Sequence, residues 1–207
     1  MRRWVRCAVF AGLACLAGRG FAGNQQYEPL AASVRAALHA AVSDLSSPEP
    51  IFASEADKAR WLGTMSEKLV RFVPDEVARV QILKTVHYEA TRAGLDPQLV
   101  LSVIQVESAF RKYAVSRASA RGFMQVMPFW TKLIGDEDDN LFHLRTNLRY
   151  GCTILRHYLD IEKGDLFRAL GRYNGSLGKA PYPNLVLRAW RRNWLAPEPS
   201  VTATAAN

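Results

Sequence analysis

The stretch Leu99-Val100-Leu101-Ser102-Val103-Ile104-Gln105-Val106 constrains this chain most. Asp96 and Pro97 just before it supply an N-cap and a first-turn proline, so a helix starts there. Wound at 3.6 residues per turn, its apolar side chains point in most directions, and a helix apolar nearly all round must be buried. The run ends on a carboxylate, Glu107. At the C-terminal end of a buried helix, desolvation and the negative pole of the helix dipole both disfavour the charged form and raise the pKa. A carboxylic acid held protonated near neutral pH is a good general acid. A plain helix exit into solvent explains the same position equally well, and from position alone the two readings stand level.

The rest of the chain also has helical periodicity. Leu30, Val34, Leu38, Ala41 and Leu45 share one face. Ser54 with Asp57 resembles a capping box ahead of Leu62, Met65, Leu69 and Phe72. Pro74 restarts the chain for Val77, Val80, Leu83 and Val86, ending at Gly94. Helices are also predicted in TNLRYGCTILRHYLDIEKG, DLFRALGRY and YPNLVLRAWRRNW, with SSPEP as a linker between the first two helices. The fold class is therefore mainly α, with a small β-hairpin near 114–126, where Gly122 permits a tight turn and residues 123–126 alternate apolar and polar.

The chain has 207 residues, enough for one domain plus an extension. It opens with Arg2, Arg3 and Arg6, an apolar stretch from about Cys7 to Ala17, and Gly20-Phe21-Ala22, the layout of a secretory signal peptide over residues 1–22. The apolar stretch falls short of the ~20 residues that a membrane span needs. Lipid attachment at Cys15 is disfavoured, because the preceding GLA matches a lipoprotein cleavage site poorly. Without Arg2, Arg3, Arg6 and Arg19 the remainder carries 23 basic and 19 acidic residues, a net of +4. An exported protein of periplasm or cell envelope with that charge suits an anionic envelope polymer. No nucleic-acid partner is expected, since no dense Lys/Arg stripe interleaved with aromatics occurs. Only Cys152 lies outside the signal, so no intrachain disulfide is expected, and its reading is a small core residue.

No metal or cofactor is expected. His39, His87, His143 and His157 are scattered, with no HExxH pattern. Asp136, Asp138 and Asn140 have the opening spacing of a calcium loop, but Leu141 replaces the turn glycine and Asn147 the bidentate Glu. No phosphate loop, GxSxG elbow or CxxC appears.

Three short stretches sharpen the reading of Glu107: Glu107-Ser108-Ala109-Phe110, Gly122-Phe123-Met124-Gln125-Val126-Met127-Pro128, and Arg172-Tyr173-Asn174. In order and spacing they resemble the soluble lytic transglycosylase family, which reads E-S-x-F, G-L-M-Q-x-x-P and A-Y-N on a lysozyme-like helical domain. The resemblance covers roughly residues 78–196. Phe123 replaces the usual Leu, Ser119 a frequent Gly and Arg172 the usual Ala. With the leader layout and the frayed end of the chain, this divides the sequence into a signal peptide at 1–22, a helical extension at 23–75 that lies outside the resemblance, a catalytic domain at 76–196 and a flexible tail at 197–207.

The resemblance further implies cleavage of the β-1,4 bond between N-acetylmuramic acid and N-acetylglucosamine in peptidoglycan. Glu107 would act as acid, then as base, closing a 1,6-anhydro ring on the muramic residue. Substrate contacts would come from Ser108, Ser116, Met124, Gln125, Tyr173 and Asn174. The partners expected are peptidoglycan glycan strands and, through residues 23–75, an envelope protein; the chain itself is expected to be a monomer. Two other readings remain: a goose-type-like lysozyme hydrolysing the same bond with one of Asp136, Glu137, Asp138 or Asp139 as second carboxylate, and a non-catalytic wall-binding or scaffold protein.

Overall fold

The computed structural model describes residues 25–43 and 50–195. The proposed signal peptide, the body of the SSPEP linker and the proposed tail lie outside the described residues. Among those described, eight α-helices follow in chain order: α1 (Ala32–Ser43), α2 (Glu55–Leu69), α3 (Glu76–Arg92), α4 (Pro97–Ser108), α5 (Phe129–Ile134), α6 (Leu144–Ile161), α7 (Leu166–Asn174) and α8 (Pro181–Ala189), closed by a π-helical turn, Trp190–Trp194.

The local signals work as their chemistry requires. Ser54 accepts from the Asp57 amide at 3.1 Å and starts α2. Asp96 accepts from the amides of Gln98 and Leu99 at 2.6 and 3.2 Å and starts α4. From Leu99 to Ile104 every residue of α4 is buried, between α3, α8 and the π-helical turn. Cys152 is buried and free.

The structure departs from expectation in three places. The β-hairpin near 114–126 is not formed as a ladder: among the described residues it is reduced to two isolated antiparallel bridges, Val115–Arg121 and Arg121–Val126. Positive φ at Ser119, Gly122 and Gln125 turns the chain before pairing can extend. Helix α5 is too short for periodicity to reveal. The last helix gives way to a π-helical turn, in which Trp194 packs by Phe110 and Phe72 and donates from Nε1 to Gln105 Oε1 at 2.8 Å.

A buried charge joins α3 to α6. Glu89 is fully buried and receives Arg149 in a forked contact, with Nη2 at 2.9 Å and Nε at 3.2 Å, while Arg92 Nε lies 3.0 Å away. Residues 25–43 lie on the same body. Helix α1 packs against α5 and α6, and His39 Nδ1 lies 3.1 Å from the Ile134 carbonyl. No helix among the described residues is long and apolar enough to cross a membrane.

Two expected outcomes test this packing. Arg149→Met leaves the buried carboxylate short of its forked partner, and urea denaturation should show a loss of about 3 kcal/mol. His87 is buried between Phe52 and Trp61, with ring centroids at 4.0 and 5.0 Å, and burial holds its pKa below the ordinary 6.5. The unfolded chain thus binds that proton more tightly. Its contribution is whole above pH 6.5 and drains away as pH falls through the lowered folded pKa. Thermal melts from pH 7.5 to about 5 should show this acid-side loss, and His87→Phe should reduce it.

Candidate active site

Glu107 stands in the last turn of α4 at 6 % exposure. The chain leaves the helix through two successive left-handed residues, Ala109 at φ 49° and Phe110 at φ 61°. For side chains with a Cβ this costs of order 1–2 kcal/mol each. The strain is held because Phe110 is buried beside Phe72 and Trp194, with centroids at 5.2 and 5.6 Å. Ser108 turns inward: its hydroxyl donates to the Phe123 carbonyl at 2.7 Å and lies 3.2 Å from that of Ile104. This pins the helix end to the Gly122–Pro128 loop.

The loop is organised by Asn147, a fully buried amide on α6. Its Oδ1 accepts from the Met124 amide, and its Nδ2 donates to the Arg121 and Leu141 carbonyls, all at 2.8 Å. Gly122 has φ 75°, and a Cβ there would lie 2.4 Å from Asn147 Nδ2 and 2.5 Å from Leu141 O. Only glycine satisfies both backbone and space. Met124 is fully buried against Gly151, so it forms floor behind the loop. Gln125, at φ 51°, donates from Nε2 to the Ala114 and Gly122 carbonyls at 3.1 and 2.9 Å. Ser116 Oγ accepts from the amides of Ala118 and Ala120 at 3.2 and 3.0 Å.

From the other side, α7 delivers Tyr173 and Asn174 ahead of Gly175, a left-handed C-cap at φ 75°. Tyr173 is fully buried and donates to the Met124 carbonyl at 2.8 Å. Tyr182, in the first turn of α8, donates to Glu107 Oε1 at 2.6 Å. Burial, and then the Glu107 charge, push both phenols well above their ordinary 10, so both remain protonated donors.

Glu107, Ser116 and Gln125 share the wall of a groove of about 510 Å³ with Arg111, Lys112 and Tyr113. Ser108, Met124 and Tyr173 stand behind that wall and hold its parts in register. None of Asp136, Glu137, Asp138 and Asp139 lines the groove, and Asp139 accepts from the Tyr150 hydroxyl at 2.5 Å. Among the described residues no group of three or more His, Cys, Asp or Glu side chains is placed to hold a metal ion.

Sequence reasoning missed three contributors. Tyr182 is an aromatic between two prolines, in a stretch already notable for Tyr173 and Asn174. Asn147 is a polar residue at a core-facing position of an amphipathic helix. Gln25 belongs to the extension, yet it is buried, and its Oε1 accepts from Trp130 Nε1 at 3.0 Å and the Met127 amide at 3.3 Å. Only the last carries no sequence signal.

Asn147→Leu strips the loop of three bonds and leaves a buried amide and two carbonyls unpaired. Chemical denaturation should show a loss of about 3 kcal/mol or more, whereas Ser116→Ala should cost only about 1 kcal/mol.

Residues 84–181 match the family model described as Transglycosylase SLT domain, a span that contains all three motifs. A membrane-bound lytic murein transglycosylase C of Actinobacillus pleuropneumoniae serotype 5b is 51 % identical over 53 residues, 26 % of this chain and 14 % of the relative. The protein of that name from Haemophilus influenzae (strain PittEE) is 43 % identical over 53 residues, covering 15 % of its length. A transglycosylase of Enterobacteria phage PRD1 is 32 % identical over 116 residues, 53 % of this chain and 43 % of the relative. The chain thus spans less than half the length of each of these relatives. The similarity to the Transglycosylase SLT domain thus lies over residues 84–181, just under half of the chain.

Proposed function

We propose that this chain is a peptidoglycan lytic transglycosylase, cleaving the β-1,4 bond between N-acetylmuramic acid and N-acetylglucosamine with Glu107 as acid and then base. The observation that carries this reading is a buried carboxylate in the wall of an open groove, the only carboxylate among the groove's described lining residues. Hydrolysis by a two-carboxylate route needs a second acid to activate water or to attack the sugar. Here the second role falls to the substrate. Glu107 gives its proton to the glycosidic oxygen as that bond breaks, and the carboxylate then takes the proton of the muramic C6 hydroxyl as O6 bonds to C1. The products are a free GlcNAc 4-hydroxyl and a 1,6-anhydro ring.

An acid that must later be a base needs both protonation states within reach. Burial and the C-terminal pole of α4 favour the neutral form, while the Tyr182 hydrogen bond favours the carboxylate formed midway. With Oε1 occupied by Tyr182, the transferred proton belongs on Oε2. Tyr182 is a positioning residue; Ser116 and Gln125 would meet the sugar directly, and Asn174 would do so from α7. Ser108, Met124 and Tyr173 would serve the substrate by holding the groove wall. Export to periplasm or cell envelope completes this reading, in keeping with the word membrane-bound in the names of two relatives.

Mass analysis of digested sacculi tests it: fragments should end in 1,6-anhydromuramic acid, and reducing ends instead would establish a hydrolase. Glu107→Gln should lower kcat at least about 100-fold with the fold intact. Tyr182→Phe should keep KM near that of the parent, lower kcat, and shift the pH–rate profile. In the parent enzyme the rate should fall on the alkaline side as the acid form of Glu107 is lost.

A further inference from the structure

Building on the proposed function, we infer that the rim formed by residues 111–121 is a subsite for a peptide-bearing sugar: Tyr113 stacks on the pyranose and Arg111 and Lys112 take a carboxylate of the peptide. The segment from Arg111 to Arg121 contains Arg111, Lys112, Arg117 and Arg121 and no acidic residue. Arg111 donates from Nε to the Ser108 carbonyl at 2.9 Å, which ties it to the end of α4 beside Glu107. Arg111 and Lys112 line the groove that holds Glu107, so their field acts where substrate lies.

Tyr113 is the less expected part. Its side chain is 71 % exposed, in the same groove wall, and the neighbouring Val115 is 61 % exposed. Apolar surface left open beside a buried acid earns the fold no burial energy, and such patches mark binding surfaces. Phe142 braces the Tyr113 ring at a centroid distance of 5.8 Å and 49°, and Lys112 Nζ leans over it at 5.2 Å. Its backbone is fixed to the acid's own loop: Ala114 donates to the Arg111 carbonyl at 3.2 Å, and the Ala114 carbonyl receives the Gly122 amide and Gln125 Nε2 at 2.9 and 3.1 Å. A sugar stacked on Tyr113 is thereby placed at a set distance from Gln125 and Glu107. The cations beside the ring have an evident use if that sugar carries an anionic peptide, whose carboxylates reach beyond the sugar ring to Arg111 and Lys112 in the groove wall.

The experiment compares glycan strands that keep their stem peptides with the same strands stripped by an amidase and capped as the methyl amide at the lactyl carboxylate that the amidase frees, reading release of 1,6-anhydro ends. The parent should prefer peptide-bearing strands by about five-fold or more in kcat/KM, equivalent to about 1 kcal/mol. Tyr113→Ala should raise KM on both strand types by about five-fold with a smaller change in kcat, and Tyr113→Phe, which keeps the ring, should restore it. The double variant Arg111→Gln with Lys112→Gln should bring the ratio between strand types toward one. Absence of any preference in the parent, or a KM that ignores the loss of the Tyr113 ring, overturns the inference. Binding of the same strands to the Glu107→Gln protein reads the subsite without turnover. Loss of anhydro ends would therefore sink the proposed chemistry alone, and unaltered binding after Tyr113→Ala would sink the subsite alone.

Discussion

The structure depends on keeping α4 dry. A helix with apolar side chains on almost every side stabilises a fold only if other elements wrap it, and α3, α8 and the π-helical turn do so. That arrangement ends on Glu107, which lies at the boundary between core and groove. Its environment is therefore a consequence of the same burial that holds the molecule together. Two polar side chains within that wrapping cost little: Ser102 donates to the Gln98 carbonyl at 2.7 Å, and Gln105 is met by Asn193 and Trp194 at 3.0 and 2.8 Å.

Around Glu107 the backbone is strained wherever the site needs an unusual direction. Ala109, Phe110, Ser119 and Gln125 all have positive φ without being glycine, and all lie in the segments that frame the groove. Such conformations persist when surrounding packing over-determines them. Phe110 is locked in an aromatic cluster, and Gln125 is tied by its own amide to two carbonyls. The extension takes part in the same restraint. Gln25 caps the far side of the motif loop, and Arg172, which stands where the family usually has alanine, bridges Glu28 and Glu162 at 2.8 and 2.7 Å. Arg172 thereby fastens the extension to α7.

Helix starts and the central acid were legible because their causes are local. Asp96 and Pro97, Ser54 and Asp57, and the greasy run before Glu107 each act within a turn or two of chain. The hairpin was misjudged because its alternation was real but its φ angles were not readable. Loop 122–128 takes its shape from Asn147, more than twenty residues on, and no local pattern specifies that pairing.

What the sequence alone determined is the mainly helical class, the position of the acid and the order of the three motifs, since periodicity, capping and spacing are properties of neighbours along the chain. Only tertiary structure decided which motif residues face the groove and which stand behind it. It turned Ser108, Met124 and Tyr173 inward, opened Tyr113 to solvent, and brought Tyr182, 75 positions from Glu107, to 2.6 Å of its carboxylate. The reason is physical: a side chain's role follows from the direction in which packing leaves it, and packing is settled between elements distant in the chain.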